Sequence, residues 1–333
     1  MSKAVTIHDI AREAGVSPST VSRVLNGNVP VAEPKRAAVL AAIEKRNFRP
    51  NAVARGLARG TTGAVGVLTQ ALSSQFYGEI LFGVEQGLRG SPYHPVIVSG
   101  NWQTEEELEA LDLLIARRVE AIVVLGGFLP DEQLQQVSRD LPLVIAGRGA
   151  AGLESHSLRV DDEQGAYQAT RYLIELGHRR IVHVTGALSH QDAHDRRRGY
   201  ERALAEAGIP FDPQLIVEGA YTEQSGLLAA QALLSRGTLF TAIFAGNDQM
   251  AYGVRLALYR RGLRVPDDVS LVGFDDLNGS AYTIPPLTTM RQPTMDMGRA
   301  AAQALLRLLD GQEPELPTLT TELIIRESAA PLR

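Results

Sequence analysis

Behind Thr6, the apolar residues Ile7, Ile10, Ala11 and Ala14 recur at helical spacing, with Thr6 as cap and Gly15 able to take the left-handed turn that ends the helix. Ser17 and Pro18 mark a second start, since proline at the first helical position forfeits no hydrogen bond. Val21, Val24 and Leu25 then face inward and leave Ser19, Thr20, Ser22 and Arg23 outward. A third helix over about 33–47 turns Val39, Leu40 and Ile43 inward and closes a three-helix core. After Phe48 the pattern changes. Asn51 can cap only about two turns, short of the ~12–15 residues an isolated helix needs, and Gly56 weakens it by a further ~1 kcal/mol. Coil is expected there unless a partner holds the segment.

From about Thr62 onward, short β-rich apolar runs alternate with amphipathic helical ones. The expected strands are Ala64–Leu68, Pro95–Val98, Ala121–Leu125, Leu143–Ala146, Ile181–Thr185, Ala242–Ala245 and Val269–Phe274. Helices are expected over 76–89, 104–117, 162–176, 196–207, 223–235 and 247–262. That alternation predicts doubly wound parallel sheets, and about 270 residues are too many for one such sheet, so two lobes are expected.

Composition narrows the function. The 333 residues are 44% hydrophobic and 21% charged, as in a globular chain with a sizeable core, and contain no cysteine, which excludes a disulfide scaffold, thiol chemistry and a cysteine zinc site. With no apolar leader and no apolar run of membrane-spanning length, a cytoplasmic protein is expected. The net charge of −5 hides an asymmetry: residues 1–60 carry ten Lys/Arg against four Asp/Glu, and the remainder 23 against 34. A basic head on an acidic body fits a polyanion-binding module joined to something else. The hydroxyls and the single Arg23 on the outward face of the second helix suit a DNA major groove, hydroxyls meeting phosphates and arginine a guanine edge. Leu57, between Arg55 and Arg59, suits a minor-groove wedge. The plainer alternatives are a solvated amphipathic helix and a basic linker.

In doubly wound sheets ligands bind beyond the carboxyl ends of the strands. That rule selects Ser73, Phe76, Gly126, Gly127, Arg148, Asp161, Asp162, Arg196, Asn247, Asp248, Asp275 and Asp276, with Tyr221 ahead of a helix. Carboxylates and an amide accept hydroxyl hydrogens, a guanidinium bridges two oxygens and a phenol ring covers the apolar face of a sugar, so the set reads as a polyol site. Singly, Asp162 and Asp248 read equally well as helix caps. Other patterns fall away. Gly147–Gly152 matches a dinucleotide fingerprint but precedes no amphipathic helix. His190 and His194 have zinc-ligand spacing without the glutamate of a metalloprotease motif, and read as a polar loop. No catalytic constellation emerges, and neither enzyme activity, cofactor nor metal is expected.

The run from Thr6 to Gly27, followed by Arg49-Pro50-Asn51-Ala52-Val53-Ala54-Arg55, resembles the head and hinge of the lactose/galactose repressor (LacI/GalR) family, and the resemblance continues to about Arg326. It implies an α/β protein in which a three-helix helix-turn-helix head (1–48) and a hinge (49–61) precede a periplasmic-binding-protein-like body (62–333). The body's first lobe would span about 62–160 and 291–319, its second about 161–290 and 320–330. The implied function is a homodimeric repressor of sugar-catabolic genes on a palindromic operator, controlled by a small galactoside- or glucoside-like effector. DNA contacts are expected from Thr6, Ser17, Pro18, Ser19, Thr20, Ser22, Arg23, Asn26, Asn51, Ala54, Arg55 and Leu57. Effector contacts are expected from Ser73, Phe76, Arg148, Asp161, Arg196, Tyr221, Asn247, Asp275 and Gln292, the last at a strand crossover. The chain departs from the family at Ala32-Glu33-Pro34, where a serine cap is usual, at Ala71–Tyr77 and at Gly147-Arg148. With only seven residues after Arg326, a dimer is expected rather than a tetramer built on C-terminal heptads. The alternatives are a sugar-transport protein, which would need a signal peptide, and a sugar-modifying α/β enzyme.

Overall fold

The computed structural model describes residues 5–26, 30–48 and 61–332, which fall into two compact units, one ending at Gly63 and one beginning at Ala64. In the first, α1 (Ile7–Ala14), α2 (Pro18–Asn26) and α3 (Glu33–Arg46) bury Ile10, Ala11, Val21, Val39 and Ala42 in a small core. Thr6 caps α1 reciprocally: its hydroxyl accepts the Asp9 N–H while the Asp9 carboxylate accepts the Thr6 N–H at 2.9 Å. One expected core residue is corrected. Leu40 is half exposed, and Ala42 takes its place beside Val39. Consecutive helical residues are rotated by roughly 100°, so position 40 falls on the flank of a face centred on 39.

The second unit begins with a parallel sheet of β1 (Ala64–Thr69), β2 (His94–Ser99), β3 (Ala121–Leu125), β4 (Leu143–Ala146) and β5 (Ser157–Leu158), in spatial order β2-β1-β3-β4-β5. Its helices are α4 (Gln75–Leu88), α5 (Thr104–Ala116) and α6 (Asp131–Asp140). A second sheet contains β6 (Ile181–Thr185), β7 (Ile216–Glu218), β8 (Ala242–Ala245), β9 (Ser270–Asp275), β10 (Thr288–Arg291) and β11 (Glu322–Ile324). Its order is β11-β10-β9-β8-β6-β7, and only β11 runs antiparallel to its neighbour. Helices α7 (Asp162–Glu175), α8 (Gln191–Glu206), α9 (Glu223–Ser235) and α10 (Asp248–Arg260) belong to this lobe, whereas α11 (Thr294–Leu309) returns to pack on α4 of the first. That packing is close: a Cβ on Gly83 would strike the Met295 carbonyl, and one on Gly298 the Ile80 carbonyl.

The chain therefore crosses between lobes after β5, between β10 and α11, and before β11. The short strands β7, β10 and β11, and the helices α6 and α11, are absent from the pattern-based expectation, and β5 entered it only as the stretch Ser157–Val160 ahead of Asp161. Each of these strands has only two to four residues and mixes in polar ones, whereas the equally short β4 and β8 are wholly apolar and register as runs. α11 buries Met297 and Leu305 along with Ala300, Ala301, Ala302 and Ala304. No helix among the described residues is long and apolar enough to cross a membrane.

His183, in the centre of β6, is fully buried, stacked 4.6 Å from Phe244, with Nδ1 at 3.1 Å from the Phe244 carbonyl and Nε2 without a hydrogen-bond partner. Burial lowers its pKa to about 4. The unfolded chain protonates this ring near 6.5 and the folded chain only near 4, so stability present above 6.5 is lost as pH falls between the two. At pH 5 the loss attributable to His183 is about 2 kcal/mol. His183→Phe should remove that share, and denaturant midpoints at pH 7 and 5 should lie closer together in the variant than in the parent. An unchanged gap would place the acid sensitivity elsewhere.

Candidate functional site

In the first unit, Ser17, Pro18, Ser19 and Arg23 are exposed and Thr20 and Ser22 half-buried on one side of α2, while Val21 plugs the core from the other. Pro18 opens the helix, and the Ser17 hydroxyl lies 2.8 Å from that of Ser19 and 2.9 Å from that of Thr20. Arg23 forms no ion pair with any described residue. Lys45 and Arg46, in contrast, converge on Glu13, at 2.7 Å for the lysine. Part of the head's basic excess is thus neutralised internally. Thr6, whose hydroxyl is engaged with Asp9 at 2.7 Å, acts first as a cap. Asn51, Ala54, Arg55 and Leu57, and the side chain of Asn26, lie outside the described residues.

In the second unit a cavity of about 880 Å³ opens between the two lobes, where the carboxyl ends of both sheets meet. Arg196, on α8, lies at its base and is almost completely buried. Its Nε donates to Asp162 Oδ1 at 2.8 Å, Nη1 donates to the Gly246 carbonyl, and its guanidinium stacks 4.0 Å from the centre of the Phe274 ring. Burial, with the Asp192 and Asp195 carboxylates nearby, lifts Asp162 to about 6 against the pull of Arg196. Asp275 ends β9 with φ +116°, a backbone conformation unfavourable for a non-glycine residue, and accepts a hydrogen bond from Gln292 Nε2 at 2.8 Å. Burial pushes its carboxyl well above the usual range, although Arg196 opposes the rise. Tyr221, at φ +59°, donates its hydroxyl to Asp192 at 2.6 Å. Its ring occupies space that a Cβ on Gly186 would block. Asn247 caps α10 by accepting the Met250 N–H at 2.9 Å and ties down the Tyr221 carbonyl through Nδ2.

Eight of the nine expected effector residues line this cavity: Ser73, Phe76, Arg148, Arg196, Tyr221, Asn247, Asp275 and Gln292. Asp161 does not. It is exposed and caps α7 through the Gln164 N–H, and its neighbour Asp162 reaches the cavity instead. Arg148 lines the wall, but its guanidinium staples its own lobe, donating to the carbonyls of Gly126, Leu129 and Gly149 and pairing with Asp131 at 3.1 Å. It braces the wall and is not a free oxygen clamp. Asp248 lies beneath the site, buried, accepting from Leu277 N–H, Ser280 and Thr289, with burial raising it to about 7. Asp276 is turned away onto Arg291 and Arg326.

Residue spacing missed Trp102, Phe128 and His190, all at the cavity wall. The stretch read as a polar loop is corrected. α8 starts at Gln191, so His194 is helical, and His190 stacks 4.2 Å from Trp102. No described group of His, Asp or Glu is arranged to hold a metal. The available signal for Trp102 was its being the sole tryptophan, and for His190 its spacing from His194, which read as a polar loop; nothing in its own spacing marked Phe128.

Residues 6–51 match the model for bacterial regulatory proteins of the lacI family, and residues 170–329 that for a periplasmic binding protein-like domain. The chain is 39% identical over 323 residues to the transcriptional regulator GalR of Escherichia coli K12, covering 96% of this chain and 94% of that one. It is 38% identical over 308 residues to catabolite control protein A of Priestia megaterium, covering 92% and 93%. Among solved structures, the lac repressor dimer bound to operator and the anti-inducer ONPF superposes with a TM-score of 0.89 at 30% identity, covering 98% of this chain and all of that one.

Proposed function

Because the chain belongs to the lacI family of bacterial regulatory proteins, we propose that it is a cytoplasmic repressor that binds a palindromic operator as a homodimer and responds to a small sugar. It is a transcriptional regulator and not an enzyme. The observation that carries the sugar reading is the cavity base, where Arg196, Asp275 and Gln292 present donors and acceptors beside the Tyr221 ring. Such a set suits hydroxyls on one side and an apolar ring face on the other. In this reading the exposed side of α2 enters the major groove. Ser17, Thr20 and Ser22 meet phosphates, Pro18 and Ser19 lie at the variable base-readout edge, Arg23 meets a guanine, and Thr6 and Asn26 flank the helix. The hinge, 49–61, folds on DNA with Asn51, Ala54 and Arg55 on the backbone and Leu57 wedged at the operator centre. Sugar held by both lobes favours one lobe arrangement, and operator affinity changes by as much as the sugar's affinity differs between arrangements, ~1–3 kcal/mol in typical cases.

Selection of an operator from random duplexes, followed by anisotropy titrations with and without sugars, tests the whole reading; a protein that selects no sequence would refute it. Within that assay Arg23→Ala should weaken the selected site by ~1–3 kcal/mol and relax preference at one base pair per half-site. Unchanged affinity and footprint would remove Arg23 from the readout.

A further inference from the structure

One wall of the cavity is unused by the contacts assigned above. Trp102, the single tryptophan of the chain, has Phe128 5.4 Å away between ring centroids and His190 4.2 Å away. Ring contacts continue to Tyr77 at 5.9 Å on one side and, from His190, to Tyr221 at 5.5 Å on the other. Trp102 and Phe128 come from the first lobe, His190 and Tyr221 from the second, so the aromatic wall spans the cleft. Two buried side chains aim it. Gln70 Oε1 accepts the backbone N–H of Trp102 at 3.0 Å, and the Glu107 carboxylate accepts the backbone N–H of Phe128 at 2.8 Å. Asn101 and Trp102 have φ of +51° and +59°, a left-handed backbone that non-glycine residues adopt at a cost. That turn is tied by Asn101 Nδ2 to Glu106 at 2.6 Å.

Size and charge say what such a wall covers. At about 880 Å³ the cavity lies near the upper end of the ~300–1,000 Å³ of ordinary ligand pockets, and a lone hexose at the polar base would leave the aromatic side to water. Its lining carries three carboxyl groups, Asp162, Asp192 and Asp275, against two guanidiniums. Arg148 is spent on its own lobe and Arg196 is held by Asp162 and the Gly246 carbonyl, so neither is free to clamp a phosphate. We propose that the effector is an uncharged glycoside with a second ring: one sugar ring bonded at Asp275, Arg196 and Gln292, the second covered by Trp102 and Phe128. This rests on the sugar-site reading and narrows it.

The test is calorimetry on the full-length protein with glucose and galactose, glucose 6-phosphate, the disaccharides cellobiose, lactose and maltose, and p-nitrophenyl glucoside. For the disaccharides, Trp102 emission is followed in parallel. At least one two-ring glycoside should bind tenfold or more tightly than its free hexose, about 1.4 kcal/mol. A disaccharide would identify the second ring as sugar, and a preference for the nitrophenyl compound would identify it as a flat aglycone. Bound disaccharide should shift or quench Trp102 emission, and Trp102→Ala or Phe128→Ala should bring the two-ring to one-ring affinity ratio toward unity. A free hexose or the phosphate ester binding as tightly as every two-ring compound, and releasing operator, would overturn this proposal while leaving the regulator reading intact. So would an emission unmoved by a disaccharide that binds. Failure of every sugar to bind would overturn both.

Discussion

Asp275→Asn should select and hold the same operator as the parent protein and lose its response to the sugar. Asp275 is buried at the end of β9 with Gln292 as its hydrogen-bond donor, and β10, which precedes Gln292, pairs with β9 in register at Arg291 and Asp275. The amide has the shape of the carboxyl but turns one acceptor into a donor, leaving a sugar hydroxyl and part of the Gln292 contact poorly paired. A hydrogen bond to a charged group is worth ~1.5–3 kcal/mol, so sugar affinity should fall roughly 10- to 100-fold. The parent's response should also depend on pH. Burial raises this carboxyl, and a sugar that needs the carboxylate as acceptor must then displace a proton, so affinity weakens as pH falls through the folded-state value. The variant should be flat over the same range. Operator titrations with and without sugar at several pH values decide the matter. An Asp275→Asn protein with the parent's response would remove the residue from the site.

Arg196→Met should cost the body more than any other single change considered. The guanidinium is buried between Asp162, Asp192, the Gly246 carbonyl and the Phe274 ring. Methionine keeps the packing on Phe274 and removes the cation, leaving carboxyl groups in the interior without their counter-charge. Breaking a buried pair in this way costs ~3–5 kcal/mol. Asp162, already lifted to about 6 by burial, escapes part of the penalty by taking up a proton. The folded variant then holds that proton to higher pH than the unfolded chain does, so its deficit relative to the parent should be smallest near pH 5 and grow toward pH 8. Denaturant melts across that range would show it. A deficit below about 1 kcal/mol at pH 8 would mean that Arg196 is not the charge anchor of the cleft.

Much of this protein was legible along the chain because the signals were local. Helix caps at Thr6 and Ser17, the left-handed Gly15 and the period of α1 and α2 depend on residues within one or two turns. The buried strands β1, β3, β6, β8 and β9 announced themselves as mainly apolar runs, and the segments beyond their carboxyl ends led to Arg196, Asn247 and Asp275. What failed had causes of another kind. Leu40 and Ala42 exchanged places through helix rotation, which only α1 and α2 could set. Asp161 and Asp162 are adjacent acids at a helix start, and the sequence could not say which one caps and which one turns inward. Arg148 read as a clamp because its four acceptors come from segments up to 22 residues away.

The sequence alone determined the element alternation, the basic helix-turn-helix head, and the residue types gathered where ligand would lie, because each is written in periodicity, charge and strand ends. Tertiary structure decided the aromatic wall. Trp102, Phe128 and His190 stand in three different connections, with no shared period, and meet only because α5 supplies Glu107, β1 leads to Gln70 and the two lobes face each other. It also decided the protonation of the cleft. A carboxyl such as Asp275 is an ordinary acid in sequence, and its burial, which raises it, is a property of the folded interior.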